Sequence, residues 1–403
     1  MSFEVRTCEN LDEFSQAMLG VGQYFNLEPG SERIERFAKT LPFERMHAAR
    51  EDGQIVGGAG AFEFEVTVPG ASVPCAGVTV VGTYPTHRRR GVLRAMMRAQ
   101  LDDVHERGDP VAMLWASDEL IYGRFGYGLA SWVGDASIPR EATFTVPVEN
   151  RRRLRLVEKQ EALELFPQVW EQLRPQMPGM LSRTSAWWES RILFDSPEGR
   201  HGAGPMHFVT LELDGRAEGY AVYRHRPKWE HGVPSGEVEV LEAMALDGAA
   251  TAELWRFLLD IDWSAQTSMF LLPVDHQLFH LLANPRRMNY RIFDGLWVRL
   301  VDVGAALSAR RYAQDGSIVF DVVDSFCPWN KGRWKLEDGI ASRTEDAADL
   351  RLDVALLGGS YLGAIAFSAL LRAGLLEELT PGAAARADAL FLWNRAPWCP
   401  EIF

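Results

Sequence analysis

Residues Val78–Arg94 read VTVVGTYPTHRRRGVLR. An apolar, β-branched run (Val78 to Val81) gives way to small and turn-forming residues at Gly82, Thr83, Pro85 and Thr86. Three arginines and a glycine follow, and helical spacing then begins at Val92, Leu93, Ala95, Met96 and Met97. Strand, basic turn and helix N-terminus in that order make an anion cradle, because the first-turn N–H groups and the helix dipole both attract negative charge. Gly91 has no Cβ and lets a ligand approach the backbone closely. The arginines carry donors suited to phosphate oxygens. The competing reading is a solvated basic face or a nucleic-acid patch. The net charge of −13 opposes polyanion binding in general. It leaves one small phosphorylated ligand as the better fit.

A chain of 403 residues exceeds one ordinary core, so two or three domains are expected. Its 47% hydrophobic and 24% charged residues are those of a soluble globular protein. Apolar runs such as Phe270 to Val274 are far shorter than a membrane span. The start, MSFEVRTCENLDEF, has early acidic residues and no apolar signal core, which points to a cytoplasmic protein. Cys8, Cys75, Cys327 and Cys399 are scattered without metal-ligand spacing and read as reduced thiols, with no metal site. An acidic surface suits cationic substrates such as amines, and equally keeps a protein in solution.

Three segments emerge along the chain, 1–150, 151–294 and 295–403. In the first, Leu11 to Leu19 has helical spacing after a possible cap at Asn10, and Gln54 to Val66 reads as a hairpin-like pair after the turn Glu51-Asp52-Gly53. Gly91 to Arg107 is the helix after the cradle, Val111 to Trp115 a strand, Ser117 to Phe125 a short helix closed by Gly126, and Tyr127 to Ala136 a returning strand. The second segment repeats this order in outline (strands at Met206 to Leu213, Gly219 to Arg224 and Gly236 to Ala245, helix Thr251 to Asp260, strand Ser268 to Pro273) without a counterpart of the RRRG turn. It reads as a degenerate duplicate. In the third, Leu350 to Leu357 is expected as a strand, Gly359 to Leu376 as an apolar helix and Pro381 to Phe391 as an amphipathic one. The tail NRAPWCPEIF holds Trp393, Trp398, Ile402 and Phe403, where chain ends are usually polar and frayed, so this end is expected to be packed.

Together these pieces resemble the GNAT superfamily of acyl-CoA-dependent N-acyltransferases, and within it the Eis-like branch. Arg88 to Leu93 match the pyrophosphate loop [Q/R]-x-x-G-x-[G/A], except that Leu93 replaces the final small residue. PTHRRRGVLRAM (Pro85 to Met96) and ASDELIYGRFGYG (Ala116 to Gly128) are similar to the Eis-like branch specifically. The resemblance implies an α+β or α/β architecture: tandem GNAT domains with mixed central sheets and flanking helices, then a C-terminal sterol-carrier-protein-like domain whose end enters the active site. It implies acetyl-CoA as acyl donor, a small-molecule amine as acceptor, no nucleic-acid or membrane partner, and a homo-oligomer, hexamers occurring in the family.

Carried across residue by residue, the resemblance places the pantetheine arm on Val81, Gly82 and Thr83, and the pyrophosphate on Arg89, Arg90, Gly91, Val92, Leu93 and Arg94. Ser117 and Asp118 fall beside the thiol end, Tyr122 is the general acid, and the carboxylate of Phe403 is the general base. A primary amine attacks a thioester only when neutral, so a base must take a proton, directly or through water, which a carboxylate of raised pKa suits, and a phenol suits the departing thiolate. Tyr127 is the rival acid, though its place after Gly126 reads as packing. Phe25, Asn26 and Ile402 fall at acceptor positions; at the counterparts of Asn26 and Ile402 the aminoglycoside-modifying members carry acidic residues, whereas here Glu401 sits one place further back. That loss of carboxylates weakens the case for a polycationic antibiotic and leaves aminoglycoside-like compounds, polyamines, lysine and other small amines open. The alternative function is an inert protein that holds a lipid in its C-terminal domain.

Overall fold

The computed structural model describes residues 3–24 and 32–403. The chain forms two compact units: 1–131 with 295–397 and 402–403, and 132–294 with 398–401.

The first unit holds a seven-stranded sheet in the order Glu4–Thr7, Met46–Glu51, Gln54–Val68, Ala71–Thr83, Val111–Trp115, Leu296–Leu300, Gly128–Leu129. Asp52 and Gly53, at φ +50° and +78°, make the two-residue turn into Gln54–Val68. The expected hairpin within Gln54–Val66 is instead one 15-residue strand, and its partner is Ala71–Thr83 across Pro69-Gly70. Period-two alternation marks a strand and does not mark where it turns, which explains the difference. The helix Leu11–Gly22 begins as expected, with Asn10 Oδ1 accepting from the Glu13 N–H at 3.0 Å. Helix Val92–Glu106 buries Val92, Met96, Met97, Leu101 and Val104, the positions that one helical face brings together.

This unit also contains a five-stranded sheet, Ile340–Arg343, Gly332–Glu337, Ser317–Val323, Leu350–Asp353, Glu377–Glu378. The strand expected at Leu350 to Leu357 stops at Asp353, whose Oδ1 accepts from the Ala355 N–H at 2.9 Å and opens the helix Val354–Ser360. The helix expected from Gly359 to Leu376 is reduced to Phe367–Arg372, because Gly363 sits at φ +94° and the chain turns there.

The second unit has its own seven-stranded sheet, ordered Arg291–Asp294, Trp132–Pro139, Ser264–Pro273, Gly236–Ala245, Arg216–Arg226, His207–Leu213, Arg153–Val157. Each of the two seven-stranded sheets has one parallel pair, the fourth and fifth strands of the first unit and the third and fourth of the second in these orders. The expected single strand Tyr127 to Ala136 is two, and Gly128–Leu129 and Trp132–Pro139 go to different sheets. Among the described residues no helix is long and apolar enough to cross a membrane.

Candidate active site

The parallel ladder between Ala71–Thr83 and Val111–Trp115 pairs Cys75 with Val111, Ala76 with Ala112 and Gly77 with Met113, then ends. Beyond Gly77 the first strand runs on for six residues to Thr83. On its other edge the register slips: Gly60 faces Thr79 and Gly58 faces Gly82, so one strand advances two residues while the other advances three. The surplus is a β-bulge, and Val80 within it has φ +45°. A β-branched residue in the left-handed region costs roughly 1–3 kcal/mol, held by the surrounding sheet. The bulge bends the strand where pairing stops, which leaves the backbone of Val81, Gly82 and Thr83 as a sheet edge able to pair with an extended ligand.

The chain then makes a short turn at Pro85–His87. Arg89 lies at φ +61°, and Gly91 at φ +93° caps the helix Val92–Glu106 with no side-chain hydrogen bond. The first-turn N–H groups at Val92, Leu93 and Arg94 therefore point outward without helical acceptors. No acidic residue occupies that turn. Among the described residues Arg88 and Arg89 form no ion pair, and both are exposed. Arg90 is differently placed: its Nη2 meets Glu51 Oε1 at 2.5 Å, and His87 Nε2 meets Glu51 Oε2 at 3.0 Å. Arg94 and Arg98 both lie over the Phe326 ring, at 5.2 and 3.9 Å from its centroid. Arg98 also donates to the Phe326 carbonyl. Arg98 lies four residues after Arg94, on the same helix face.

Beyond Val111–Trp115, Ser117 is exposed, and Asp118 caps the short helix Glu119–Tyr122 by accepting from the Leu120 N–H at 2.9 Å. Tyr122 is buried in one apolar cluster that also holds Ala76 and Val78 of the first strand, Leu114 of the second, and Met97 and Leu101 of the helix. Burial pushes its phenol up to about 12. Tyr127 stands edge-on to it, ring centroids 6.0 Å apart, and differs in its polar end. The Tyr127 hydroxyl is sealed off with no hydrogen-bond partner, whereas that of Tyr122 is not among the sealed groups. Phe403 is buried as well, its ring against Phe64. Ile402 beside it is 51% exposed. Phe25 and Asn26 lie outside the described residues. Among the described residues no cluster of three or more His, Cys, Asp or Glu is arranged to hold a metal.

Residues 4–130 and 179–300 each match an acetyltransferase (GNAT) domain, and residues 303–400 match a sterol carrier protein domain. An uncharacterized N-acetyltransferase of Streptomyces avermitilis is 44% identical over 93% of each chain. The N-acetyltransferase Eis of Mycobacterium tuberculosis is 36% identical over 84% of this chain and 83% of its own. This chain belongs to the Eis-like family of GNAT N-acetyltransferases. The crystal structure of Eis1 from Mycobacterium abscessus superposes with a TM-score of 0.87 at 32% identity, over 99% of this chain and 100% of that one. As an Eis-like protein the chain is an acetyltransferase enzyme, and the inert lipid-holding alternative is not favoured.

Proposed function

We propose that this enzyme transfers an acetyl group from acetyl-CoA directly to a primary amine, with Tyr122 as general acid and the α-carboxylate of Phe403 as general base. The observation that carries the proposal is the ladder that ends at Gly77 and Met113, with Tyr122 in the apolar cluster that both strands share. The pantetheine arm takes the hydrogen bonds of the Val81–Thr83 edge, with Ser117 and Asp118 near its thiol end. The pyrophosphate takes the first-turn N–H groups of Gly91 to Arg94 and the charges of Arg88 and Arg89. Arg90 supports the loop through Glu51, so its contribution to the pyrophosphate is the smallest of the three arginines.

In the transfer itself the amine nitrogen bonds to the thioester carbon, and its proton passes to the terminal carboxylate, directly or through water. The tetrahedral adduct collapses as the carbon–sulfur bond breaks. Tyr122 gives its proton to the leaving sulfur, and a phenol held near 12 by burial is protonated throughout the working pH range. Products are an acetamide and CoA thiol. The acceptor is a small amine: Ile402, at a position that is acidic in aminoglycoside-modifying relatives, favours one with fewer positive charges. Assembly as a homo-oligomer in the cytoplasm completes the proposal.

The test is a screen of aminoglycosides, polyamines, amino-acid amides and lysine peptides with acetyl-CoA and thiol detection. CoA release dependent on at least one amine is expected, and release that is the same with and without every amine contradicts the proposal.

A further inference from the structure

The second unit repeats the strand geometry of the cofactor cleft. Gly236–Ala245 runs parallel to Ser264–Pro273, with the helix Gly248–Asp260 between them in sequence, and their ladder ends at Val240 and Met269. Against Arg216–Arg226, Val222 faces Glu242 and Tyr223 faces Val240, so Leu241 is surplus, the same kind of slip as at Val80. Two features remove the anion cradle. Only Leu246 and Asp247 separate strand from helix, and Asp247 Oδ1 caps the helix by accepting from the Ala250 N–H at 2.7 Å. A carboxylate already occupies the place a phosphate would take.

The C-terminal tail fills the rest. Trp398 Nε1 donates to the Leu271 carbonyl at 2.7 Å, two residues past the last position of that strand that pairs with Gly236–Ala245. On the other strand Glu242 accepts from both terminal nitrogens of Arg183, at 3.0 and 2.6 Å. Arg183 Nε donates to Glu401 Oε1 at 3.0 Å, and Trp187 Nε1 donates to Glu401 Oε2 at 2.5 Å. The Arg183 side chain is wholly buried, 3.3 Å from the Trp170 ring centroid and 4.6 Å from that of Trp188. Residues 398–401 are thus tied to both strands just beyond the point where their pairing stops.

We infer that the tail has replaced the acyl donor in the second GNAT-like unit, and that Arg183, Trp187 and Glu242 are positioning residues that fix the chain end through Glu401. Two residues reach at most about 7 Å, so a fixed Glu401 confines the terminal carboxylate to a small volume. The catalytic consequence rests on the reading of that carboxylate as base. The anchoring does not.

Glu401→Gln separates the two. It leaves Arg183 paired with Glu242, so no buried charge is stranded. Carboxypeptidase A should release Phe403 roughly tenfold faster from this variant. Its kcat should fall roughly ten- to a hundredfold, with KM for acetyl-CoA unchanged. In a chain bearing one extra residue after Phe403, the same substitution should add no further loss. Equal release rates overturn the anchoring, and an unchanged kcat or an equal loss in the extended chain overturns its catalytic consequence. Trp187→Phe removes a single donor and should shift release and kcat the same way by less; no shift in either also overturns the inference. Faster Phe403 release from Glu401→Gln, together with full activity in the extended chain, sinks the carboxylate base and leaves the anchor standing.

Discussion

The Phe403 ring meets the Phe64 ring edge-on, with centroids 5.3 Å apart and planes at 69°. Such aromatic pairs contribute about 0.5–1.5 kcal/mol beyond the area they bury. Phe64 lies on Gln54–Val68, and the neighbouring strand passes Gly77 beneath both rings. The last residue of the chain is therefore held at the point where the parallel ladder ends.

Gly77 is small for that reason. A Cβ there meets Phe64 ring carbons at 2.4 and 2.5 Å and the Phe403 ring at 3.3 Å. Gly77→Ala should cost about 1–3 kcal/mol of stability and lower kcat at least about tenfold, with KM for acetyl-CoA unchanged. Thermal melts and steady-state kinetics measure both. An unchanged kcat would remove the ring pair from any part in placing the terminus.

The two tyrosines are separable by one atom each. Tyr122→Phe should lower kcat by about 10²- to 10⁴-fold and leave acetyl-CoA affinity intact. Tyr127→Phe removes a sealed hydroxyl that has no partner, so it should be neutral or stabilising by about 1 kcal/mol, with full activity. The reverse pattern of activities would exchange their roles.

Gly91→Ala tests the cradle. A Cβ there has nothing within 4 Å, so the change acts only through the backbone at φ +93°. The cost is about 1–2 kcal/mol, and relaxing it turns the first-turn N–H groups away from the ligand. KM for acetyl-CoA should rise at least about tenfold, more than Tm changes would suggest. A KM equal to that of the wild type rules out Gly91 as a pyrophosphate contact.

Acid stability should depend on His47. It is buried on Met46–Glu51, with Nδ1 unpartnered and Nε2 4.0 Å from the Asp103 carboxylate. Burial holds its pKa below the ordinary ~6.5, with Asp103 opposing in part. The unfolded chain takes up this proton at higher pH than the folded one. Its contribution is thus present above about pH 6.5 and lost as pH falls through and below it. Between about pH 7.5 and about pH 5 the wild type should lose more Tm than His47→Gln. Parallel losses would show that His47 takes up its proton at the same pH in the folded and unfolded chain.

Much of the donor side was legible because its signals are local. A β-branched run, Pro85, the arginines and Gly91 specify strand, turn and helix start within Val78–Arg94. The bulge was not, since nothing about Val80 in sequence marks a left-handed valine; the sheet register imposes it. Strand exchange was invisible for a similar reason. Trp132–Pro139 and Leu296–Leu300 find their partners far along the chain, and alternation says nothing about which sheet a strand joins. The packed tail was expected from Trp398 and Phe403, but its anchor was not. Arg183 and Glu401 are 218 residues apart, and each alone reads as a surface charge.

The proposed base is the α-carboxylate of Phe403. One residue appended after Phe403 moves the carboxylate by up to about 3.6 Å and leaves a peptide bond in its place. With the best amine acceptor, kcat of the extended protein should fall at least about a hundredfold, while its Kd for acetyl-CoA stays at the wild-type value. Full kcat in the extended protein contradicts a terminal carboxylate base.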